Sequence, residues 1–142
     1  MMNSEDPTAP KPEKLAPDAA QIGRATALAA AAYERQAEDV IALDVRALTS
    51  LADTFLIASG RSRQQVRAIA DAVLEAARRD GIRALGAEGL DEGVWALLDL
   101  GSVIFHVFHD DTRSHYDLER LWADAPQLDV GPADMKQLRK AK

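Results

Sequence analysis

Val94-Trp95-Ala96-Leu97-Leu98-Asp99 and Ser102-Val103-Ile104-Phe105-His106-Val107-Phe108 are two short apolar runs separated only by Leu100-Gly101. Strands joined by so short a turn must lie antiparallel. With Leu100 and Gly101 as the turn, Asp99 faces Ser102, Leu97 faces Ile104 and Trp95 faces His106 across the ladder. One face then carries Val94, Ala96, Leu98, Val103, Phe105 and Val107, all apolar and suited to burial beneath a helix. The other carries Trp95, Leu97, Asp99, Ile104 and His106, a mixed aromatic, aliphatic and charged surface of the kind that anchors protein interfaces. The same residues have a structural use as well, in which Trp95 packs under a following helix and Asp99 caps the turn.

Upstream, Val40-Ile41-Ala42-Leu43-Asp44-Val45 and Thr54-Phe55-Leu56-Ile57-Ala58-Ser59 have the apolar, β-branched character of strands covered on both faces. Gly60 breaks the second. Ser62-Arg63-Gln64-Gln65 then forms a capping box, with Ser62 capping an amide while Gln65 reaches back. Val66, Ile69, Ala70, Val73, Leu74 and Ala77 follow at helical spacing, and Gly81 supplies a left-handed exit. Ile82 to Leu85 reads as a further short strand, followed by a glycine-rich loop through Gly93. An Ala-rich run from Ile22 to Glu38 makes the first helix, and Asp110-Asp111-Thr112 opens a last one running from about Thr112 to Trp122. In that helix Leu118, Leu121 and Trp122 form the inward stripe, and Tyr116 and Glu119, at i and i+3, share a side.

The predicted fold is α/β (α+β), a mixed β-sheet of about five strands flanked by helices. Its 142 residues, 47% hydrophobic, suit one domain with a real core. Residues 1–20, with Pro7, Pro10, Pro12 and Pro17, read as a disordered arm, 21–124 as the domain, and 125–142 as a flexible tail.

Composition narrows the function. The absence of cysteine excludes disulfides, thiolate catalysis and zinc-thiolate sites. The N-terminus is Pro-rich and acidic rather than basic then apolar, and no uncharged apolar run has membrane-spanning length, so a cytoplasmic location is expected. A net charge of -6 and a pI near 5.0 favour a basic protein partner over phosphate-dominated binding of nucleic acid, beyond incidental contact with RNA. The three histidines, His106, His109 and His115, do not form a metal-ligand spacing, because His106 and His109 have the odd offset that puts strand residues on opposite faces. No nucleophile elbow or phosphate-binding glycine loop of the known types is present. Gly60-Arg61-Ser62 could cradle an anion at a helix start, though a turn and a cap need the same residues.

The segments Asp39-Val40, Leu43-Asp44-Val45, Asp53-Thr54-Phe55-Leu56-Ile57, Gly60-Arg61-Ser62 and Val66-Arg67-Ala68-Ile69-Ala70 resemble the opening half of the RsfS/Iojap family of ribosomal silencing factors. Glu88-Gly89, Trp95, Leu98-Asp99-Leu100-Gly101, His106-Val107-Phe108 and Arg113-Ser114-His115-Tyr116-Asp117-Leu118-Glu119-Arg120-Leu121-Trp122 follow its second half in order and spacing, across about residues 22 to 126. Gln64, where the family pattern has Arg, and Ser102, where it has Asp or Glu, depart from it. The resemblance implies a translational repressor, not an enzyme and without a cofactor, that is a homodimer off the ribosome. It implies binding to protein fourteen of the large ribosomal subunit, which sterically blocks joining of the small subunit. Trp95, Leu97, Asp99, Tyr116 and Glu119 are the expected contact residues, with Trp95 as the anchor. It also implies a nucleotidyltransferase-like topology, hence the rival of a nucleotide-binding enzyme using Gly60, Ser62 and a carboxylate pair on magnesium. Against that rival, no Asp-x-Asp occurs, and Asp117 and Glu119 on a helix would diverge by about 200°. A dimeric adaptor for a non-ribosomal partner would use the same surface.

Overall fold

The computed structural model describes residues 16–131. In chain order they form α1 (Ala19–Glu34), β1 (Glu38–Asp44), β2 (Thr54–Gly60), α2 (Arg63–Arg79), β3 (Gly86–Glu88), β4 (Trp95–Asp99), β5 (Val103–His109), α3 (Asp110–Tyr116), α4 (Leu118–Leu121) and β6 (Gln127–Leu128). The strands make one six-stranded sheet in the order β3-β4-β5-β2-β1-β6. Only β2 and β5 run parallel, and the other four pairings are antiparallel, so the sheet is mixed as the sequence predicts. Among the described residues no helix is long and apolar enough to cross a membrane.

The sheet is built around β2, in which every residue from Thr54 to Gly60 is buried. Its alternate residues feed two cores. Leu56 and Ala58 join Ala96, Leu98, Phe105 and Val107 beneath α1 and α2, where Leu28, Val66, Ile69 and Val73 are fully buried. Phe55 and Ile57 face the other way, into a smaller core with Leu43, Val45 and Phe108, capped by Leu118 and Trp122. The Phe55 and Trp122 rings meet edge to face at 4.9 Å.

The second long helix, α2, begins and ends as its sequence dictates. Ser62 Oγ accepts from Gln65 N at 3.0 Å, and the Gln65 carboxamide oxygen accepts from Arg61 N at 2.7 Å. At the far end Gly81 (φ +78°) closes a Schellman turn, with Ile82 N on Ala77 O and Gly81 N on Arg78 O. The first helix begins and ends earlier than predicted. Asp18 caps Gln21 N at 2.8 Å, and Gln36 (φ 60°) makes the same Schellman turn without a glycine.

Two further segments differ from the sequence reading. Ile82 to Leu85 is not a strand; the chain instead pairs with β4 through Gly86–Glu88, led in by Leu85 N on Asp99 O at 2.7 Å. Residues 125 to 130, read as tail, fold onto the sheet. Gln127 and Leu128 pair with Leu43 and Ala42, and Ala125, Leu128 and Val130 are buried. Covering the open edge of β1 in this way satisfies backbone groups that an edge strand would otherwise leave free. The rest of the predicted tail, and residues 1 to 15 of the predicted arm, lie outside the described residues.

Candidate docking surface

The hairpin closes one residue later than predicted. Leu100 N donates to Val103 O at 2.8 Å, so the two turn residues are Gly101 and Ser102, with Gly101 at φ +86° and its amide held by Asp99 Oδ1 at 3.0 Å. A glycine in the first central position matches the twist of the flanking strands. Trp95 therefore pairs with Phe108, Leu97 with His106 and Asp99 with Ile104. Each partner moves by two residues, so both face assignments survive: Ala96, Leu98, Phe105 and Val107 are buried under the helices.

The second face is covered unevenly. Trp122 packs over Phe55 on β2, while Trp95, Leu97, Asp99 and Ile104 are only partly buried. Trp95 and His106 are not directly paired, but diagonal neighbours on one face are within reach of aromatic side chains. The Trp95 Nε1–H donates to His106 Nδ1 at 3.2 Å. The Trp95 ring lies 4.9 Å from Phe108 and 4.6 Å from Tyr116. Phe108 is fully buried, and Tyr116 is 51% exposed. Burial pushes the His106 imidazole from its ordinary 6.5 down to about 4.

The last helix is not continuous. Asp117 adopts the left-handed conformation (φ 50°, ψ 56°) and divides it into α3 and α4. The i, i+3 argument that put Tyr116 and Glu119 on one side thus fails. Tyr116 joins Trp95 instead, and Glu119 is drawn to Arg113, whose Nη2 lies 2.7 Å from Oε2. The argument that a helix separates Asp117 from Glu119 fails too, since both line an open cleft of about 460 Å³ with Asp39, Ser59, Asp110, Arg113 and Ser114. Leu121, expected in the inward stripe, is 72% exposed.

Other features of the rival enzyme are occupied structurally. Ser62 Oγ is engaged in its cap, and a Cβ at Gly60 would press on Val66 at 3.1 Å, so that glycine is needed for close strand-to-helix packing. His109, Asp110 and Asp111 bring potential ligand atoms within 4.8 Å of one another at the start of α3, where Asp111 N is already held by Asp110 Oδ1 at 2.8 Å. Sequence reasoning missed Arg113 and Phe108. Arg113 could have been singled out as a cation set among Asp110, Asp111, Asp117 and Glu119. Phe108 was hidden by the misplaced turn.

The family described as "Ribosomal silencing factor during starvation" matches residues 17–142. The ribosomal silencing factor RsfS of Bacillus subtilis is 49% identical over 102 residues, covering 72% of this chain and 86% of its own. The chloroplastic protein Iojap of Arabidopsis thaliana is 30% identical over 86% of this chain and 51% of its own length. A crystal structure from Chromobacterium violaceum superposes with a TM-score of 0.70 at 34% identity, over 81% of this chain and 95% of that one.

Proposed function

The chain belongs to the ribosomal silencing factor family, and on that premise we propose that it represses translation by docking on protein fourteen of the large ribosomal subunit and sterically blocking the small subunit. The observation that carries this reading is the platform of Trp95, backed by buried Phe108 and flanked by half-exposed Tyr116. A rigid aromatic group with one side fixed on the core and the other open is what an interface anchor requires. Leu97 and Ile104 extend it with aliphatic surface, and Asp99 at the end of the same strand adds negative charge, while the Glu119 carboxylate is paired with Arg113. The net charge of -6 suits a basic ribosomal protein and steers encounter with it. Blocking requires occupancy alone, so the repressor needs no catalysis and no cofactor. Off the ribosome the protein is a cytoplasmic homodimer in this reading.

The test is co-sedimentation of the Trp95→Ala variant with purified large subunits, alongside a subunit-joining assay. A folded variant that neither pellets with large subunits nor inhibits joining supports the reading. Undiminished pelleting by that variant removes Trp95 as the anchor, and unimpaired joining in the presence of bound wild-type protein removes the steric mechanism.

A further inference from the structure

His106 lies beneath the docking surface and makes no use of its second nitrogen. The side chain is 6% exposed, flanked by Leu97 on β4 and Ile57 on β2, and stacked at 6.2 Å on Phe108 and edge to face at 5.5 Å on Phe55. Its Nδ1 accepts from the Trp95 indole, and its Nε2 has no hydrogen-bond partner among the described residues. An indole nitrogen only donates, so Nδ1 must be unprotonated and the proton of the neutral ring sits on Nε2. That leaves a donor buried without an acceptor, which opposes folding. A phenylalanine would fill similar space with no orphan polar atom.

We propose that His106 is a positioning residue for docking: its Nδ1 fixes the orientation of the Trp95 indole, so that the anchor is already set before the partner arrives. The proposal rests on the docking reading above. Trp95 also stacks on Phe108 and lies tilted against Tyr116, ring contacts that fix no hydrogen-bond direction and tolerate sliding. The hydrogen bond to a buried, immobile imidazole removes that freedom. Holding a side chain in its bound conformation lowers the entropy lost on association. The stability given up at Nε2 is then offset by function rather than by folding.

Two substitutions separate this from a packing role. In His106→Asn the carboxamide oxygen can stand near the position of Nδ1, whereas His106→Phe removes the acceptor and also the orphan donor. The expected result is that His106→Phe unfolds at the same or a higher temperature than wild type, yet binds large subunits about fivefold more weakly, the scale of one lost hydrogen bond. His106→Asn should recover most of that affinity. In the free protein, the Trp95 indole N–H resonance, assigned by its loss in Trp95→Phe, should exchange with solvent faster in His106→Phe than in wild type or His106→Asn. Wild-type affinity in His106→Phe, equal losses in both variants, or an indole exchange rate unaffected by His106→Phe would each overturn the proposal. If Trp95→Ala binds normally while the indole exchange responds as expected, the docking reading has failed rather than the hydrogen bond, and the positioning role falls with it.

Discussion

Arg113 holds Glu119 across the left-handed turn at Asp117, with its Nε and Nη2 at 2.8 and 2.7 Å from the same oxygen, Oε2, and its Nη1 at 2.8 Å from Ser59 Oγ. One guanidinium thus ties α3, α4 and the end of β2 together. The Arg113 side chain is only 11% exposed, so removing its counter-charge leaves a largely desolvated cation. Glu119→Ala should therefore destabilise the fold by about 1–3 kcal/mol, and Glu119→Gln, which keeps an acceptor, by less. Denaturant unfolding checks this. A Glu119→Ala variant as stable as wild type would show that solvent replaces the carboxylate freely. Any effect of Glu119 variants on large-subunit binding must accordingly be read against their stability.

Asp117 is the reason that Tyr116 and Glu119 part company. Its backbone sits at φ 50°, ψ 56°, where a Cβ costs about 1–2 kcal/mol and a short polar side chain reduces the cost. Asp117→Ala should lose about 1 kcal/mol, while Asp117→Gly should stay within about 0.5 kcal/mol of wild type because glycine enters this region freely. Thermal unfolding would rank glycine and aspartate above alanine. Equal stability of the alanine and glycine variants would mean that the break is not needed, and that a single helix from 110 to 121 is an accessible alternative.

These residues show where sequence logic held and where it stopped. The two hairpin faces were legible because a strand alternates with period two, and moving the turn by one residue shifts every partner by two. The turn itself was misplaced because Leu100-Gly101 and Gly101-Ser102 both offer a glycine, and only the twist of the strands prefers it first. α2 was readable in full, since its cap, apolar stripe and exit glycine agree. The division at Asp117 has no comparable mark: aspartate enters the left-handed region at little cost but seldom announces it. β6 was illegible for another reason. Two residues after Pro126 have no periodicity, and what makes them a strand is the open edge of β1. At the candidate surface the strand residues Trp95, Leu97 and Asp99 share the face that alternation gives them, whereas Tyr116 and Glu119 take places set by Trp95 and Arg113.

Gly81 and Gly89 have nearly the same φ, +78° and +79°, but different surroundings. A Cβ on Gly81 meets nothing within 4 Å, while one on Gly89 would collide with the Trp95 carbonyl oxygen. Gly81→Ala should cost about 1 kcal/mol of backbone strain alone. Gly89→Ala adds overpacking against a strand and should cost about 1–3 kcal/mol more. It should also shift the Trp95 indole resonance, because the strand carrying Trp95 must yield. If the two variants unfold at the same denaturant concentration, the close approach of Gly89 to β4 is not a constraint.

Acid should act on His106 before it acts on the buried carboxylate. His106 is held near 4, below its ordinary 6.5, so the unfolded chain binds the proton more readily than the folded one. The associated stability is complete above about pH 6.5 and is lost as pH falls toward 4, by up to about 3 kcal/mol at 1.36 kcal/mol per unit. Asp44 follows a lower window. Burial opposes its ionisation, but hydrogen bonds from Arg46 and Gln21 outweigh that and hold its carboxyl below 3.8, so its contribution is lost only as pH drops beneath that value. The difference in unfolding free energy between wild type and His106→Phe should therefore change steadily from pH 6.5 to 4, with wild type losing ground, because the other carboxylates titrate alike in both. A difference that stays flat across this window would mean that His106 accepts a proton in the folded protein as easily as in the unfolded one, which the Trp95 indole donating to Nδ1 does not allow.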